Sequence, residues 1–197
     1  MQYAWFIWSL IILSVWFIVF LFRKSIRKEM LIISFVTMPF GFTEPLFVPE
    51  YWNPPSLFNL AQTTGFDIES LIFCFAIGGI GSVLYRLIIP LKLTPMDIKE
   101  RLGPKHRFHF YTFSVPVIVF LTLSLFSDLN HIYCGIIAMF AGAIAAIYCR
   151  NDLKWKIWIG GLLFFLLYFV FFSTLIWIYP GYVELLWNLD SISGVLF

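Results

Sequence analysis

Charge is what this chain has least of. Only 12% of its 197 residues are Asp, Glu, Lys or Arg, against 61% hydrophobic and 21% aromatic. A soluble domain of this length needs more polar surface to cover itself, so a water-soluble fold is excluded. Cysteine is also sparse. Cys74, Cys134 and Cys149 are odd in number and lack metal-ligand spacing, so neither a disulfide framework nor a zinc site follows. Each lies in an apolar run and reads as a small buried hydrophobe. The short alternating segments of a β-barrel are missing, because the runs are apolar on every face. The first run has no positive start and no small-residue cleavage site, so it reads as an uncleaved helix rather than a signal peptide. The formal charge of +2 sits in loops, suits anionic lipid headgroups and gives no basis for nucleic-acid binding.

What is present is a series of six apolar runs, at about 4–22, 30–48, 68–91, 110–127, 132–149 and 157–179. Each can cross a hydrocarbon core about 30 Å thick. The expected fold is all-α: a polytopic membrane bundle of six transmembrane helices, forming one integral membrane domain. All thirteen Lys and Arg fall on one side of this map. Arg23, Lys24, Arg27 and Lys28 follow the first span. Arg86 stands near the end of the third span, Lys92, Lys99, Arg101, Lys105 and Arg107 lie between it and the fourth, and Arg150, Lys154 and Lys156 between the fifth and sixth. The positive-inside rule makes these turns cytoplasmic and puts the N-terminus outside. The opposite connections hold Glu44, Glu50, Asp67, Glu69, Asp128, Glu184 and Asp190 and no basic residue. Carboxylates without cationic neighbours are therefore expected in the outer leaflet.

An internal repeat organises the chain. Units at about 1–91 and 132–197 are joined by a linker and span at 92–131, with Lys92 to His109 as the linker proper. The basic turn Arg23 to Glu29 matches Arg150 to Lys156, and the outer segment Pro49–Phe66 matches Tyr179–Gly194. Trp52-Asn53 and Trp187-Asn188 occupy equivalent places. The second unit stops where its matching helix should begin. The expectation is a seventh span that is missing here, lying further along a longer chain or supplied by a second subunit. Ala138, Gly142 and Ala146 share one helix face, as do Gly78 and Ser82, and such stripes let helices approach closely. Gly78-Gly79-Ile80-Gly81 has no strand before it, so it reads as packing rather than a phosphate loop. Pro39 and Pro116 are expected to kink the second and fourth spans.

Ionisable groups at membrane depth are costly and start as functional candidates. Glu44, in Phe40-Gly41-Phe42-Thr43-Glu44-Pro45, lies near the outer end of the second span; a carboxyl that keeps its proton there is a general acid. Glu69 and Asp67 stand at the start of the third span, where a carboxylate is also an ordinary helix cap. His106 and His109 are spaced to share a helix face, but no third ligand is near in sequence and the loop is cationic, so a solvated or lipid-facing role is expected. His131, beside Asp128 and Asn130, is a weaker candidate for proton exchange.

Asp67-Ile68-Glu69-Ser70-Leu71-Ile72-Phe73, preceded by Glu50-Tyr51-Trp52-Asn53-Pro54 and Gly65, resembles the acidic signature of the lycopene cyclases built from two small membrane units, fused or separate. That signature is Pro-x-Glu-Glu or Pro-x-Glu-Asp at the start of a span. Glu69 matches its first acid, Ser70 stands at the second, and Asp67 stands at the Pro. The segment Trp187-Asn188 with Ser193-Gly194-Val195 is similar to the lead-in of the second copy, whose acids would fall beyond Phe197.

The resemblance implies carotenoid biosynthesis by a non-redox isomerase of intramolecular lyase type. A carboxylic acid protonates a polyene end, the neighbouring double bond closes the ring, and a proton leaves. It makes Glu69 a catalytic candidate, beside Glu44, which its place at membrane depth already singles out. Trp52, Asn53, Phe47, Phe73 and Asp67 become candidates for substrate binding, since aromatic faces stabilise a cation by about 0.5–2 kcal/mol each. It implies no cofactor and no metal. Expected partners are membrane lipid, a carotenoid or other isoprenoid, and a second small membrane subunit or further copy of the chain, in a prokaryotic cell membrane. Two other readings fit the composition. One is a proton-relay or retinal-type seven-span protein, although every Lys lies in a loop; the other is a non-catalytic isoprenoid-binding scaffold.

Overall fold

The computed structural model describes residues 3–89, 97–104, 106 and 109–188. Lys92, Lys105, Arg107, Asp190 and the segment Ser193 to Val195 lie outside that range. In chain order the helices are α1 (Ala4–Phe22), α2 (Arg27–Thr37), α3 (Leu60–Thr64), α4 (Ile68–Ile88), α5 (Ile98–Arg101), α6 (His109–Phe126), α7 (His131–Cys149), α8 (Lys154–Ile178) and α9 (Tyr182–Leu186). Among the described residues there is no strand, only an isolated antiparallel bridge between Trp52 and Trp187. Four helical stretches are long and apolar enough to cross a membrane: Ala4–Phe22, Ile68–Ile88, His131–Cys149 and Asn151–Ile178. Their outward faces are lined by groups such as Phe165 and Trp177, the latter 81% exposed, as hydrocarbon-facing helices require. The chain divides into two compact units, Met1–Ile89 with Leu163–Ser193, and Pro90–Leu162 with Gly194–Phe197.

In the first unit α1 turns one face inward, burying Trp5, Trp8, Ser9, Ile12 and Trp16 at helical spacing. The glycine run of α4 meets this face and α2. A Cβ on Gly79 would collide with Ser34 Oγ and Trp16 Nε1, and that indole donates to that hydroxyl at 2.9 Å. Gly78 leaves room for Thr37, whose Oγ1 donates to the Cys74 carbonyl at 2.9 Å. The run is close helix packing. At the end of α4 remote from Asp67, Arg86 pairs with Glu29 of α2.

The second expected span is not one α-helix. It is α2 of 11 residues followed by a 3-10 helix of nine, Met38–Leu46. Pro39 and Pro45 carry no N–H, and the tighter winding takes over where α-helical bonds would be missing. Neither segment is among the helices long and apolar enough to cross a membrane alone. In the second unit α6 packs against α7. Pro116 does not end α6, whose helix continues on both sides. Its ring sits against Gly142, where a Cβ would lie 2.6 Å from Pro116 Cγ. The apolar part of this helix, Tyr111–Phe126, is shorter than the other four.

The two basic turns share a backbone conformation. Arg23 (φ −119, ψ 71) and Arg150 (φ −133, ψ 70) each end a helix and lead through a three-residue 3-10 turn into the next one.

Candidate acid site at the start of α4

Helix α4 begins at Ile68 because Asp67 caps it: the extended backbone of Asp67 lets Oδ1 accept the Ser70 amide at 2.5 Å. Glu44, at the end of the 3-10 run, grips the same turn from the other side. Its Oε2 accepts the Asp67 backbone N–H at 2.8 Å and its Oε1 accepts the Ser70 hydroxyl at 2.9 Å. Glu69 lies next along the helix and takes the Leu57 amide on Oε1 at 2.8 Å, tying the outer segment to α4. Glu44 is 5% exposed, and Asp67 and Glu69 are 0% exposed.

Three buried carboxyls therefore meet within one helical turn. Among the described residues the ion pairs are Arg86 with Glu29 and Arg150 with Asp152, and neither touches this cluster. Burial, with the Glu69 carboxylate adding repulsion, pushes the Asp67 carboxyl up to about 6. Asp67 Oδ2, Glu69 Oε2 and Tyr182 Oη are buried without a hydrogen-bond partner among the described residues. Burial raises the Tyr182 phenol as well, and the Asp67 charge adds to it. Native folds rarely leave buried polar atoms unmatched, so three of them on neighbouring residues single this turn out.

Aromatic rings extend inward from the acids. Phe73, one turn beyond Glu69, lies 5.2 Å from Trp5, which meets Trp52 edge to face at 5.1 Å. Trp52 lies 5.7 Å from Trp187. The backbone holds that last pair in a reciprocal clasp: Asn53 N–H donates to the Leu186 carbonyl at 2.9 Å, and Asn188 N–H to the Tyr51 carbonyl at 2.8 Å. Trp187 also borders an open apolar groove of about 470 Å³, lined by Phe165, Tyr168, Phe172, Ile176 and Val183.

Of the residues singled out by sequence, Glu44, Glu69 and Asp67 meet at the α4 turn, and Trp52 and Phe73 meet through Trp5. Asn53 is a clasp residue, with its side-chain oxygen taken up by Gln62 at 3.2 Å. Phe47 is half-buried against the Tyr51 ring, 6.1 Å away. Sequence reasoning missed Ser70 as the partner of Glu44, Trp5 as the ring joining Trp52 to Phe73, and Tyr182. The inward spacing of Trp5 and Trp8 was the available signal for the second of these. Nothing local announced the other two.

The helices and the buried acids define an all-α membrane protein with a carboxyl-rich site. Residues 130–197 match the family model described as Lycopene cyclase. The similarity thus falls on the C-terminal third of the chain, which carries Trp187-Asn188, while the acidic motif around Glu69 lies outside it. It supports a carotenoid-cyclase-like role. Nothing matched among curated proteins or solved structures.

Proposed function

We propose that the chain is a lycopene-cyclase-like protein of carotenoid biosynthesis, an isomerase closing a ring at one end of an acyclic polyene inside the membrane. The observation that carries this reading is the buried cluster of Glu44, Asp67 and Glu69, with unmatched oxygens and aromatic rings beside it, in a chain whose C-terminal third matches the lycopene cyclase family. The reaction needs one proton in and one proton out and exchanges no electrons. It requires a positioned acid, a base and a dry cavity tolerant of a carbocation.

Glu69 is the acid or base that reaches the substrate, since its Oε2 has no other partner. Glu44 tunes it. The family motif places a second acid where this chain has Ser70, and Glu44 brings a carboxylate to that hydroxyl from another segment. Spatial placement replaces the missing sequence position. Trp5, Trp52 and Phe73 are the rings that steady the cation, and the groove beside Trp187 is large enough for an end group rather than a whole polyene. Membrane lipid is the solvent, a second membrane subunit or further copy is the expected partner, and a multi-pass arrangement in a prokaryotic membrane is the setting.

The test is pigment analysis in a lycopene-accumulating host expressing the protein at verified levels. Cyclic products are expected. An unchanged acyclic profile from well-accumulated protein would overturn the proposal.

A further inference from the structure

We propose that His106, His109 and Cys149 form a divalent transition-metal site in the second unit, with zinc the ion its donors suit best. The sequence offered two histidines and no third ligand; the fold supplies it. Helix α7 ends at Cys149, where Arg150 leaves helical geometry, and this end comes close to His106 and to His109, the first residue of α6. One donor atom from each of the three side chains lies within 4.8 Å of the others. The imidazoles stack at 4.9 Å. Cys149 is a buried free thiol, and His106 Nδ1 is buried without a hydrogen-bond partner among the described residues.

That orphaned nitrogen argues against simple packing, because a buried imidazole nitrogen normally finds a partner. A cavity of about 360 Å³ adjoins it, bounded by Gly103, Pro104, His106, Cys149 and Asp152. Two imidazoles and a thiolate are a zinc donor set, with the fourth position open to water or to a carboxylate. At zinc bond lengths of about 2.0–2.3 Å, tetrahedral donors stand roughly 3.3–3.8 Å apart. The donors must close by about 1.0–1.5 Å, and because the two rings lie nearly face to face, 27° between planes, one imidazole must also turn so that both ring planes contain the ion. Basic residues nearby oppose a cation, but Arg150 is already neutralised by Asp152, its guanidinium bonding both carboxylate oxygens at 2.8 and 2.6 Å. Binding releases the Cys149 proton to solvent and converts the thiol to a metal thiolate. The ion would clamp the start of α6 to the end of α7.

Cobalt reports such a site directly. The full chain, purified in detergent and stripped with a chelator, should retain one Co²⁺ and show a sulfur-to-cobalt charge-transfer band. Cys149→Ser should lose that band, Cys134→Ser should keep it, and His106→Ala should weaken metal binding by at least about tenfold. Zinc should raise the unfolding temperature of the parent and not of Cys149→Ser. Failure to retain cobalt, a spectrum without the sulfur band, a band that survives Cys149→Ser, or equal zinc stabilisation of parent and variant would each overturn the assignment.

Discussion

Glu44 and Ser70 illustrate how a carboxylate from one segment is held at the first turn of another. A carboxylate that accepts both the Asp67 amide and the Ser70 hydroxyl holds the α4 turn that also carries Glu69. Glu69→Gln should abolish ring formation. Glu44→Gln should lower it substantially, within the roughly 10²–10⁴-fold that losing a positioned acid or base costs. Carotenoid chromatography at equal protein levels reads both, and unchanged profiles would remove these assignments. Asp67 gives a separate pH signature. Its folded-state carboxyl titrates near 6 against an ordinary 3.8, so its neutral form is the one the fold prefers. Its contribution to stability is full below that ordinary value and is lost as pH rises through about 6. The unfolding temperature in detergent should fall across this window, and Asp67→Asn, which can still cap α4, should flatten the fall. At this scale the sequence revealed which residues were chemically unusual, since acids without cations are visible as such. It could not reveal that Ser70 faces Glu44, because their segments meet only through tertiary packing.

At the scale of helices, the glycines divide into those that packing requires and those it does not. Gly79 lies against the Trp16–Ser34 hydrogen bond, and any side chain there forces both apart. Gly79→Ala should destabilise the fold by about 1–3 kcal/mol. Gly160, in α8, has nothing within 4 Å of an added Cβ, and Gly160→Ala should be neutral or stabilising by up to about 1 kcal/mol. Thermal unfolding of the two variants in the same detergent separates the cases; equal effects would refute the packing account. Spans one, three, five and six were legible because long apolar runs admit few other structures in lipid. The second span was legible as apolar but not as two windings, because hydropathy is blind to the backbone bonds that Pro39 and Pro45 remove. The closeness of Cys149 to His106 was hidden for a similar reason: ligand spacing along a chain says nothing about which helix ends meet.

For the molecule as a whole, the one-sided distribution of basic residues sets the expected orientation. Cysteines introduced at Asn59 or Gly181 should react in intact cells with a membrane-impermeant thiol reagent, while one at Lys99 should not. Labelling at position 99 would invert the assignment. The bond from Trp8 Nε1 to the Phe171 carbonyl, 3.0 Å long, joins residues 163 apart in sequence. It also has a consequence for biogenesis. At ordinary elongation rates Phe171 follows Trp8 from the ribosome by roughly 8–33 s. Throughout that interval the first helices are in place with an indole N–H facing a position whose acceptor has not yet been made. Tyr182 and Trp187 arrive later still, so the acids near Glu69 acquire these aromatic neighbours only after more than a hundred further residues have been synthesised. Partly made chains hold the carboxyls without the surroundings that complete the site, and assembly of the first unit is timed by its final helices.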